Sequence, residues 1–511
     1  MSSSSEQNYQ NSPVITHPTR DSHECGEATE NSAGEEEKAS HLGLTVSDPN
    51  SVNWDGPTDP ANPRNWKRGR KLIHILALSG ITLYANLAAI MFAPAAQQFA
   101  MEFRVTSGIV ATLTVTIFIL GFAIGPLLLA PMSELYGRLI IYHVCNVVHF
   151  AFTIGCALST NTTMFIIFRF ICGCAASSSM SIGGGTIADL YTEAERGKAM
   201  ALYGIGPLLG PVIGPLIGGF VAQSLGWRWT FWLILILSGA TSLLTLIVMR
   251  ETYEPALLER KAARLRKATG NSELRAQTSN KRLNSRQLLG RAVIRPAKIL
   301  LLSPIALLLA IYTAFMFGLV YLLFTTFPVV FQMTYGFSIG ITGLAYLGLG
   351  LGMMLSLILF GVLSDRLLHQ PRGATIARPE LRLLLMVWLS PVVPIGFFWY
   401  GWSAEAKVHW IVPILGTFFI GITIFLILIP SLIYLIDAFG PEAAASAVAG
   451  NMVLRSLFGT FIPLAGPYLY KSLGLGWGNS LLAFISVAFV PVPFFFYKYG
   501  ERLRMRFPVD Y

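Results

Sequence analysis

Charged side chains are scarce in this chain, and long stretches have none at all. Asp, Glu, Lys and Arg make up 13% of the 511 residues, whereas hydrophobic residues make up 53% and the mean hydropathy is +0.58. This composition excludes an ordinary soluble domain. It is typical of a helical protein with many membrane spans, since an apolar run of about 20 residues crosses the ~30 Å hydrocarbon core.

Clusters of residues that carry chemistry are also missing. The five cysteines have no metal-ligand spacing with histidine, so we interpret them as packing residues and expect no metal and no cofactor. The absence of a glycine-rich phosphate loop argues against an ATP-driven pump. The absence of a nucleophile–base pair and of paired acids within an apolar run argues against a membrane-embedded enzyme. The polar, acidic start of the chain predicts no cleavable signal.

Charge is distributed unevenly along the chain. Residues 1–66 hold eleven acids and three bases, whereas the rest of the chain carries a net charge of +18. We expect residues 1–66, which are rich in Ser, Glu, Asn and Pro, to be a disordered acidic cytoplasmic tail. The segment 250–300 holds thirteen Lys and Arg against four acids. By the positive-inside rule this segment and both termini are predicted to be cytoplasmic, and nucleic acid is not an expected partner.

Twelve apolar runs are predicted to span a membrane. Their approximate ranges are 72–92, 108–131, 139–159, 164–186, 200–222, 228–249, 301–327, 339–363, 381–401, 410–435, 444–470 and 478–498. They predict two six-helix bundles (67–250 and 301–500), a basic cytoplasmic loop between them (251–300) and a short cytoplasmic tail (501–511). Ser-Glu and Ser-Asp pairs end the second span of each bundle, 231 residues apart, which indicates parallel repeats. Such transporters bind substrate between the repeats near the midplane.

The stretch from Tyr203 to Phe220 repeats glycine and proline with a period of four. Its glycines and prolines are Gly206, Pro207, Gly210, Pro211, Gly214, Pro215 and Gly218. Residues four apart share a helix face, so a line of glycine is predicted beside a line of proline. Glycines let another backbone approach closely, and neighbouring helices can satisfy the carbonyls that prolines free. Simple helix packing is one alternative, but the pattern favours a helix that packs tightly and bends during transport.

This stretch carries a resemblance to a known family. Over residues 54–500 the chain resembles the major facilitator superfamily, and within it the twelve-span drug:proton antiporter branch found in fungi. The stretch 203–220 is similar to the fifth-span antiporter motif of that branch. The acid, Ser and Pro-rich loop signature of sugar porters is absent after spans six and twelve, which argues against a sugar importer.

A second superfamily motif, G-x-L-x-D-R-x-G-R, is matched in part after span two. The chain reads GPLLLAPMSELYGR at 125–138, which keeps an acid and the final Gly-Arg but has Leu135 in place of the first Arg. The second bundle keeps an Asp-Arg pair. A carboxylate at a helix end can cap a facing helix or pair with an arginine, so we predict a gating contact, with an ordinary surface ion pair as the alternative. The predicted gating residues are Glu134, Gly137, Arg138, Asp365 and Arg366.

Arg169 is predicted to lie deep in span four, where a charged side chain is a functional hypothesis by default. It matches the Arg of a fourth-span superfamily motif, and the resemblance implies a role in proton coupling. Asp189 closes the same span and is the predicted partner in proton exchange. The alternative is a structural arginine that binds carbonyl groups, and Arg455 in span eleven is a weaker candidate for coupling. No Asp or Glu lies deep in a predicted span, so the sequence leaves the proton site open.

The candidate residues for a substrate cavity are aromatic or neutral. They are Tyr84, Asn86, Tyr312, Phe315, Tyr321, Tyr346, Tyr434 and Asn451, with Asn86, Tyr312, Tyr346 and Asn451 foremost. A pocket of this kind suits amphipathic, weakly charged organic molecules. Because a cavity without acids would leave the charges of a polyamine uncompensated, a polyamine cargo is disfavoured.

These observations predict a proton-coupled exporter of hydrophobic or amphipathic molecules, either drugs and toxins or secreted secondary metabolites. The alternatives are a proton-coupled importer of a small nutrient and a polyamine exporter. We expect a monomer in the plasma membrane, or alternatively the vacuolar membrane, whose partners are the lipid bilayer, protons and one small molecule. Asn161 lies in a glycosylation sequon, but its loop is too short to make modification expected.

Overall fold

The computed structural model describes residues 50–277, 285–368 and 379–506, apart from some side chains within these ranges. The described residues from Val52 onward belong to one compact unit, and Asn50 and Ser51 are described by themselves. Most of the described backbone is helical. This follows from the apolar composition, because a chain that crosses hydrocarbon must satisfy its backbone N–H and C=O groups internally.

The helices fall into the two predicted bundles and the connection between them. The first bundle contains α1 (Arg68–Ile90), α2 (Ala96–Glu102), α3 (Gly108–Tyr136), α4 (Arg138–Ala157), α5 (Thr162–Ala176), α6 (Ser178–Leu190), α7 (Glu193–Leu225) and α8 (Arg228–Val248). The connection contains α9 (Glu254–Thr269), a strand (Arg275–Ala276) and α10 (Ser285–Leu302), and a second strand is Ser51–Val52. The second bundle contains α11 (Pro304–Tyr335), α12 (Ile339–Leu368), α13 (Leu384–Leu389), α14 (Val392–Glu405), α15 (Ile411–Phe461), α16 (Gly466–Phe489) and α17 (Pro491–Arg506).

Eleven stretches of the described residues are long and apolar enough to cross a membrane, and the last, Ala443–Leu503, has 61 residues. That length exceeds what two crossings of about 20 residues each need. The chain reverses within it at Gly474, whose φ of 74° is left-handed. The Tyr470 hydroxyl accordingly donates to Asn479 Oδ1 at 3.1 Å, although nine residues of straight helix would separate them by about 13 Å. The predicted all-α fold is confirmed, and this reversal supplies the twelfth crossing.

The two ends of the helical bundle are distinguished by the connection. The residues between α8 and α9 contact the first residue of α4, since Glu251 accepts from the Arg138 N–H at 3.0 Å. They also contact the end of α6, since the Thr252 hydroxyl lies 3.4 Å from the Asp189 carboxylate. We call this end of the bundle the loop end and the opposite end the far end.

Residues 53–66, which the composition assigns to a disordered tail, are instead ordered against α9. The Trp54 indole N–H donates to Glu254 at 2.9 Å, and the Lys261 ammonium donates to Asp55 at 2.6 Å. The Asp59 carboxylate is buried and accepts the N–H groups of Asp55 and Ala61 at 2.9 and 2.8 Å. The segment is thus held by its own hydrogen bonds, a feature that its Ser, Glu and Pro content concealed.

Asp59 makes the attachment of this segment dependent on pH. The N–H groups of Asp55 and Ala61 lower the pKa of Asp59 below its ordinary value, burial opposes this, and Lys261 lowers the pKa further. A carboxyl group with a lowered pKa stabilises the folded state above its ordinary pKa, and this stability is lost as the pH falls below about 4. We expect the Ala61 amide to lose hydrogen-exchange protection below that pH, after correction for the intrinsic exchange rate.

Asp59→Asn should remove the same protection at pH 7, because an amide is a weaker acceptor than a carboxylate. The matched control is Asp55→Asn, since the Asp55 side chain is 80% exposed and an exposed ion pair contributes little. Equal protection of Ala61 in the two variants at pH 7 would contradict the role given to Asp59.

Candidate functional site

The glycine line of α7 packs directly on α1. A Cβ at Gly206 would lie 2.7 Å from the Ser79 carbonyl oxygen, and a Cβ at Gly210 would lie 2.5 Å from Asn86 Cβ. At Gly218 a Cβ would overlap the Met91 carbonyl oxygen. Only glycine permits this approach, and α7 remains helical through its three internal prolines. Gly214 is less crowded, at 3.5 Å from a leucine methyl group.

The neighbouring face of α7 packs on α12 and so joins the two bundles. A Cβ at Gly219 would lie 2.8 Å from the Ile339 carbonyl oxygen, and a Cβ at Gly343 would lie 2.6 Å from the Pro215 carbonyl oxygen. The Gln223 side chain accepts from the Gly340 N–H at 2.7 Å. These contacts lie toward the C-terminal end of α7, so they hold the bundles together at the far end.

A cavity of about 110 Å³ lies between the two bundles. The first bundle contributes Asn86, Pro207 and Pro211, so the same two helices that pack through glycine also line the cavity. The second bundle contributes Tyr321 and Arg455. The remaining described lining residues are apolar or small: Ile90, Phe122, Pro126, Ser177, Met180, Phe317, Val320, Phe324, Met353, Ile424, Phe425, Leu428, Met452 and Ser456.

Of the four foremost cavity candidates, the structure places Asn86 in the described wall. The other three are buried inside the second bundle. The Tyr346 hydroxyl donates to the Phe324 carbonyl at 2.7 Å, and the Asn451 amide donates to Thr313 at 3.1 Å. The Tyr312 ring stacks on the Phe489 ring. Tyr321, from the wider set of candidates, does line the cavity. The helices are apolar on every side, so periodicity could not show which polar residues face inward.

Arg169 is 1% exposed and donates to backbone carbonyl groups of two helices. Its nearest acceptor is Ala88 in α1 at 2.6 Å, and it also reaches Ala89 in α1 and Thr114 and Val115 in α3 at 3.3–3.4 Å. This geometry matches the structural alternative, in which the arginine binds carbonyl groups. A role in proton coupling stays a prediction.

Asp189 lies at the opposite end of the fourth span from Arg169. The two residues are twenty positions apart, about 30 Å along a helix, so they do not exchange protons by contact. The Asp189 carboxylate instead forms an ion pair with Arg138 and accepts from the Thr252 hydroxyl. The structure therefore assigns Asp189 to the loop end.

Gly137 and Arg138 belong to one network with a residue that the sequence did not single out, Glu251. The Glu251 carboxylate is 4% exposed and accepts the N–H groups of Arg138, Leu139, Thr252 and Tyr253 at 3.0–3.2 Å. It thereby caps the start of α4. Gly137 has a φ of 96°, and a Cβ there would overlap the same carboxylate. The position of Glu251 just after the sixth predicted span was the one sequence feature that could have indicated this role.

Among the described residues, no ion pair or hydrogen bond joins Glu134 to this network. Glu134 is exposed, and within the described residues it has no ion pair. Asp365 and Arg366 lie in α12, but their side chains are outside the described part of the structure. The observed contacts of Gly137 and Arg138 reach α6 and the connection after α8, so a latch between the bundles stays a prediction.

Two further sequence predictions concern glycosylation at Asn161 and metal binding. Asn161 is exposed, and its side chain accepts from the Met164 N–H at 2.8 Å, so it caps the start of α5. Across the parts of the chain that the structure describes, no group of three His, Cys, Asp or Glu could hold a metal ion.

Comparison with known proteins identifies the family. The model of the Major Facilitator Superfamily matches residues 76–463. The chain is 71% identical over 460 residues to the MFS transporter prlG of Fungal sp. (strain NRRL 50135), which covers 90% of this chain and 97% of that protein. It is 55% identical over 464 residues to the Trichosetin biosynthesis cluster MFS transporter of Gibberella fujikuroi, with 90% of each covered.

Solved structures show the same fold. The xylose transporter XylE from E. coli, in a partially occluded inward-open conformation, matches with a TM-score of 0.64 at 18% identity, over 84% of this chain and 98% of that one. At this identity the likeness concerns the fold alone. The family match and the similar fungal transporters establish that the chain belongs to the Major Facilitator Superfamily and is a multi-pass membrane transporter of small molecules.

Proposed function

We propose that this protein exports a hydrophobic or amphipathic organic molecule in exchange for protons, by alternating access. The observation that supports the cargo class is the cavity between the bundles, whose described wall is mostly aromatic and apolar and contains no acid. Apolar walls with a few polar groups suit lipophilic organic molecules. A polyamine would find no carboxylate there to balance its charges.

The relatives support a natural product of the host as cargo. One of them is named for the biosynthesis cluster of trichosetin, and the chain covers nearly the whole length of that protein. From this name we infer that this chain carries a metabolite that its own host makes. Membership of the drug:proton antiporter branch, which the stretch 203–220 suggests, belongs to the same proposal.

The proposed orientation places the loop end in the cytoplasm. The connection between the bundles holds thirteen Lys and Arg against four acids, and positive loops stay on the cytoplasmic side. Both termini then lie in the cytoplasm, and the far end opens outward. For a secreted product the plasma membrane is the proposed location, and the vacuolar membrane is the alternative. The proposed unit is a monomer, because the cavity is formed by one chain.

The loop-end network offers a route for proton coupling. Asp189 is the carboxylate of the ion pair with Arg138, and the Arg138 backbone is held by Glu251. Protonation of Asp189 would remove the charge that binds Arg138 and loosen the contact between α4 and α6. Arg169 would then serve to hold α1 and α3 in place while the loop end changes.

Accumulation of a fluorescent lipophilic dye tests export. Cells that express the chain should retain less dye than control cells, and a protonophore should abolish the difference. Gly210→Leu should also abolish it, because a Cβ at this position already lies 2.5 Å from Asn86 Cβ. The matched control is Gly204→Leu in the same helix, because a Cβ at Gly204 would meet nothing within 4 Å.

Other results would contradict the proposal in different ways. Greater dye accumulation in expressing cells would indicate import, and reduced accumulation that resists the protonophore would exclude the proton gradient as the driving force. An unchanged dye level, with the protein at the cell surface, would exclude broad drug export. The metabolites missing from the medium of a deletion strain would then identify a dedicated cargo.

A further inference from the structure

Arg455, in the second bundle, differs in its surroundings from Arg169, in the first bundle. Arg169 donates to four backbone carbonyl groups, whereas Arg455 lines the cavity. The buried Nε of Arg455 has no hydrogen-bond partner among the described residues. Its guanidinium group lies over the Phe317 ring, 4.8 Å from the ring centroid. A cation–π contact of this kind covers one face of the guanidinium group and does not satisfy the N–H donors along its edge.

An arginine in this position raises the free energy of the folded protein unless an acceptor or an opposite charge lies beside it. A guanidinium group removed from water needs a partner of opposite charge or several acceptors. Among the described lining residues there is no Asp or Glu, so the wall does not supply that charge. The cavity is therefore electropositive, with Arg455 as the cation in its described wall.

We propose that Arg455 binds the negatively charged group of the cargo, which is an amphipathic organic anion. A carboxylate, a sulfonate or the deprotonated form of an acidic enol presents two oxygens, and the guanidinium fork can donate to both of them. This inference rests on the proposed export function and narrows its cargo class. It excludes polyamines and other organic cations, which Arg455 would repel.

The rest of the cavity fits the apolar part of such an anion. Phe317, Tyr321 and Phe324 line one side from α11, and aromatic rings give a lipophilic body a large contact area at little entropic cost. Asn86 lines the cavity from α1 and donates its own amide N–H to the Thr82 carbonyl at 2.8 Å. The Asn86 carbonyl oxygen is then available as an acceptor for a hydroxyl or amide group of the cargo.

Equilibrium binding to the purified full chain in lipid nanodiscs tests this assignment. Three probes of nearly the same shape differ in charge: 1-naphthylacetate is an anion, 2-(1-naphthyl)ethanol is neutral and 2-(1-naphthyl)ethylammonium is a cation. We expect the wild type to bind the anion most tightly. Arg455→Gln should weaken binding of the anion by about 10- to 100-fold, the value of a charge-assisted pair. It should leave the neutral alcohol nearly unaffected.

Two further variants show whether the effect of Arg455→Gln comes from its lost charge or from a general loss of structure. Arg455→Lys keeps the charge but not the fork, so it should recover part of the preference for the anion. Lys471→Gln removes a positive charge from an exposed site outside the cavity wall, and it should bind all three probes as the wild type does. The neutral alcohol reports whether each variant retains a folded cavity.

The possible failures are distinguishable. If the wild type binds the alcohol as tightly as the anion, or if Arg455→Gln weakens all three probes alike, the anion assignment is overturned and the export function stands. If the folded wild type binds none of the three probes, the cavity does not accept aromatic amphiphiles, and both proposals are overturned.

Discussion

Alanine at position 219 should shift the transporter away from the conformation in which the far ends of α7 and α12 touch. The added Cβ would lie 2.8 Å from the Ile339 carbonyl oxygen and 3.2 Å from the Gly343 Cα, and these atoms belong to backbone that cannot yield like a flexible side chain. Overpacking of this kind costs about 1–3 kcal/mol. Because the contact joins the two bundles, the cost disappears when the far ends separate. We expect the open population to rise by about 5- to 100-fold.

The distance between the far ends can be measured directly. Leu225 at the end of α7 and Ile341 near the start of α12 are both exposed, so spin labels at these positions should not disturb packing. In nanodiscs, pulsed electron resonance should show a longer distance gaining population in Gly219→Ala. Export should fall in parallel, because a transporter held in one conformation completes fewer cycles.

Two other glycines of α7 provide controls for this measurement. Gly218 packs on the carbonyl of Met91, the residue that follows α1, within the first bundle. The strain of Gly218→Ala therefore persists in every conformation and should lower stability without changing the distance. A Cβ at Gly204 meets open space, so Gly204→Ala should change neither the stability nor the distance between the far ends. An unaltered distance distribution in Gly219→Ala, with full export, would mean that the contact between α7 and α12 does not break during transport.

Replacement of Glu251 by glutamine should destabilise the loop end more than any other single loss of a carboxylate there. Glu251 accepts four backbone N–H groups while almost fully buried. An amide has a single oxygen, and its NH₂ group would face N–H donors. Each donor left unsatisfied costs about 1–3 kcal/mol. The start of α4 and the Arg138–Asp189 ion pair beside it should loosen together.

Thermal unfolding in detergent and dye export measure the two parts of this prediction. Both the unfolding midpoint and the export rate should fall in Glu251→Gln. The matched control is Glu195→Gln, because Glu195 is exposed and lies near the loop end at the start of α7. A midpoint for Glu251→Gln within the range of the Glu195→Gln control would show that the four hydrogen bonds are not essential to the fold.

The class of fold and its division into two bundles could be read from the sequence for a simple reason. A helix that crosses the hydrocarbon core needs about 20 apolar residues in a row, so each span can be recognised in the sequence as an apolar run. The period-four glycines likewise predicted one line of close contact, because helix geometry alone puts residues 206, 210 and 218 on the same face. The structure then showed which helix lies against that face.

The residues of the site were harder to predict from the sequence, because the role of each depends on which side chains the fold places beside it. Tyr312, Tyr346 and Asn451 resembled cavity residues, but helices that are apolar all round give no clue to which side faces the other bundle. Glu251 looked like an ordinary acid in a charged loop until the fold brought the start of α4 against it. The segment 53–66 looked disordered because a hydrogen-bonded turn of Asp, Pro and Asn has the same composition as a flexible tail.

By itself the sequence determined that this chain spans a membrane many times and that one helix approaches another through glycine. These properties depend on local composition and spacing, which each segment carries alone. Only the tertiary structure decided that Arg169 is satisfied by carbonyl groups. It also decided that Arg455 lines a cavity and that its Nε has no hydrogen-bond partner among the described residues. The two arginines look alike in sequence. Their difference lies in what surrounds a buried charge, and those surroundings come from helices that are distant along the chain.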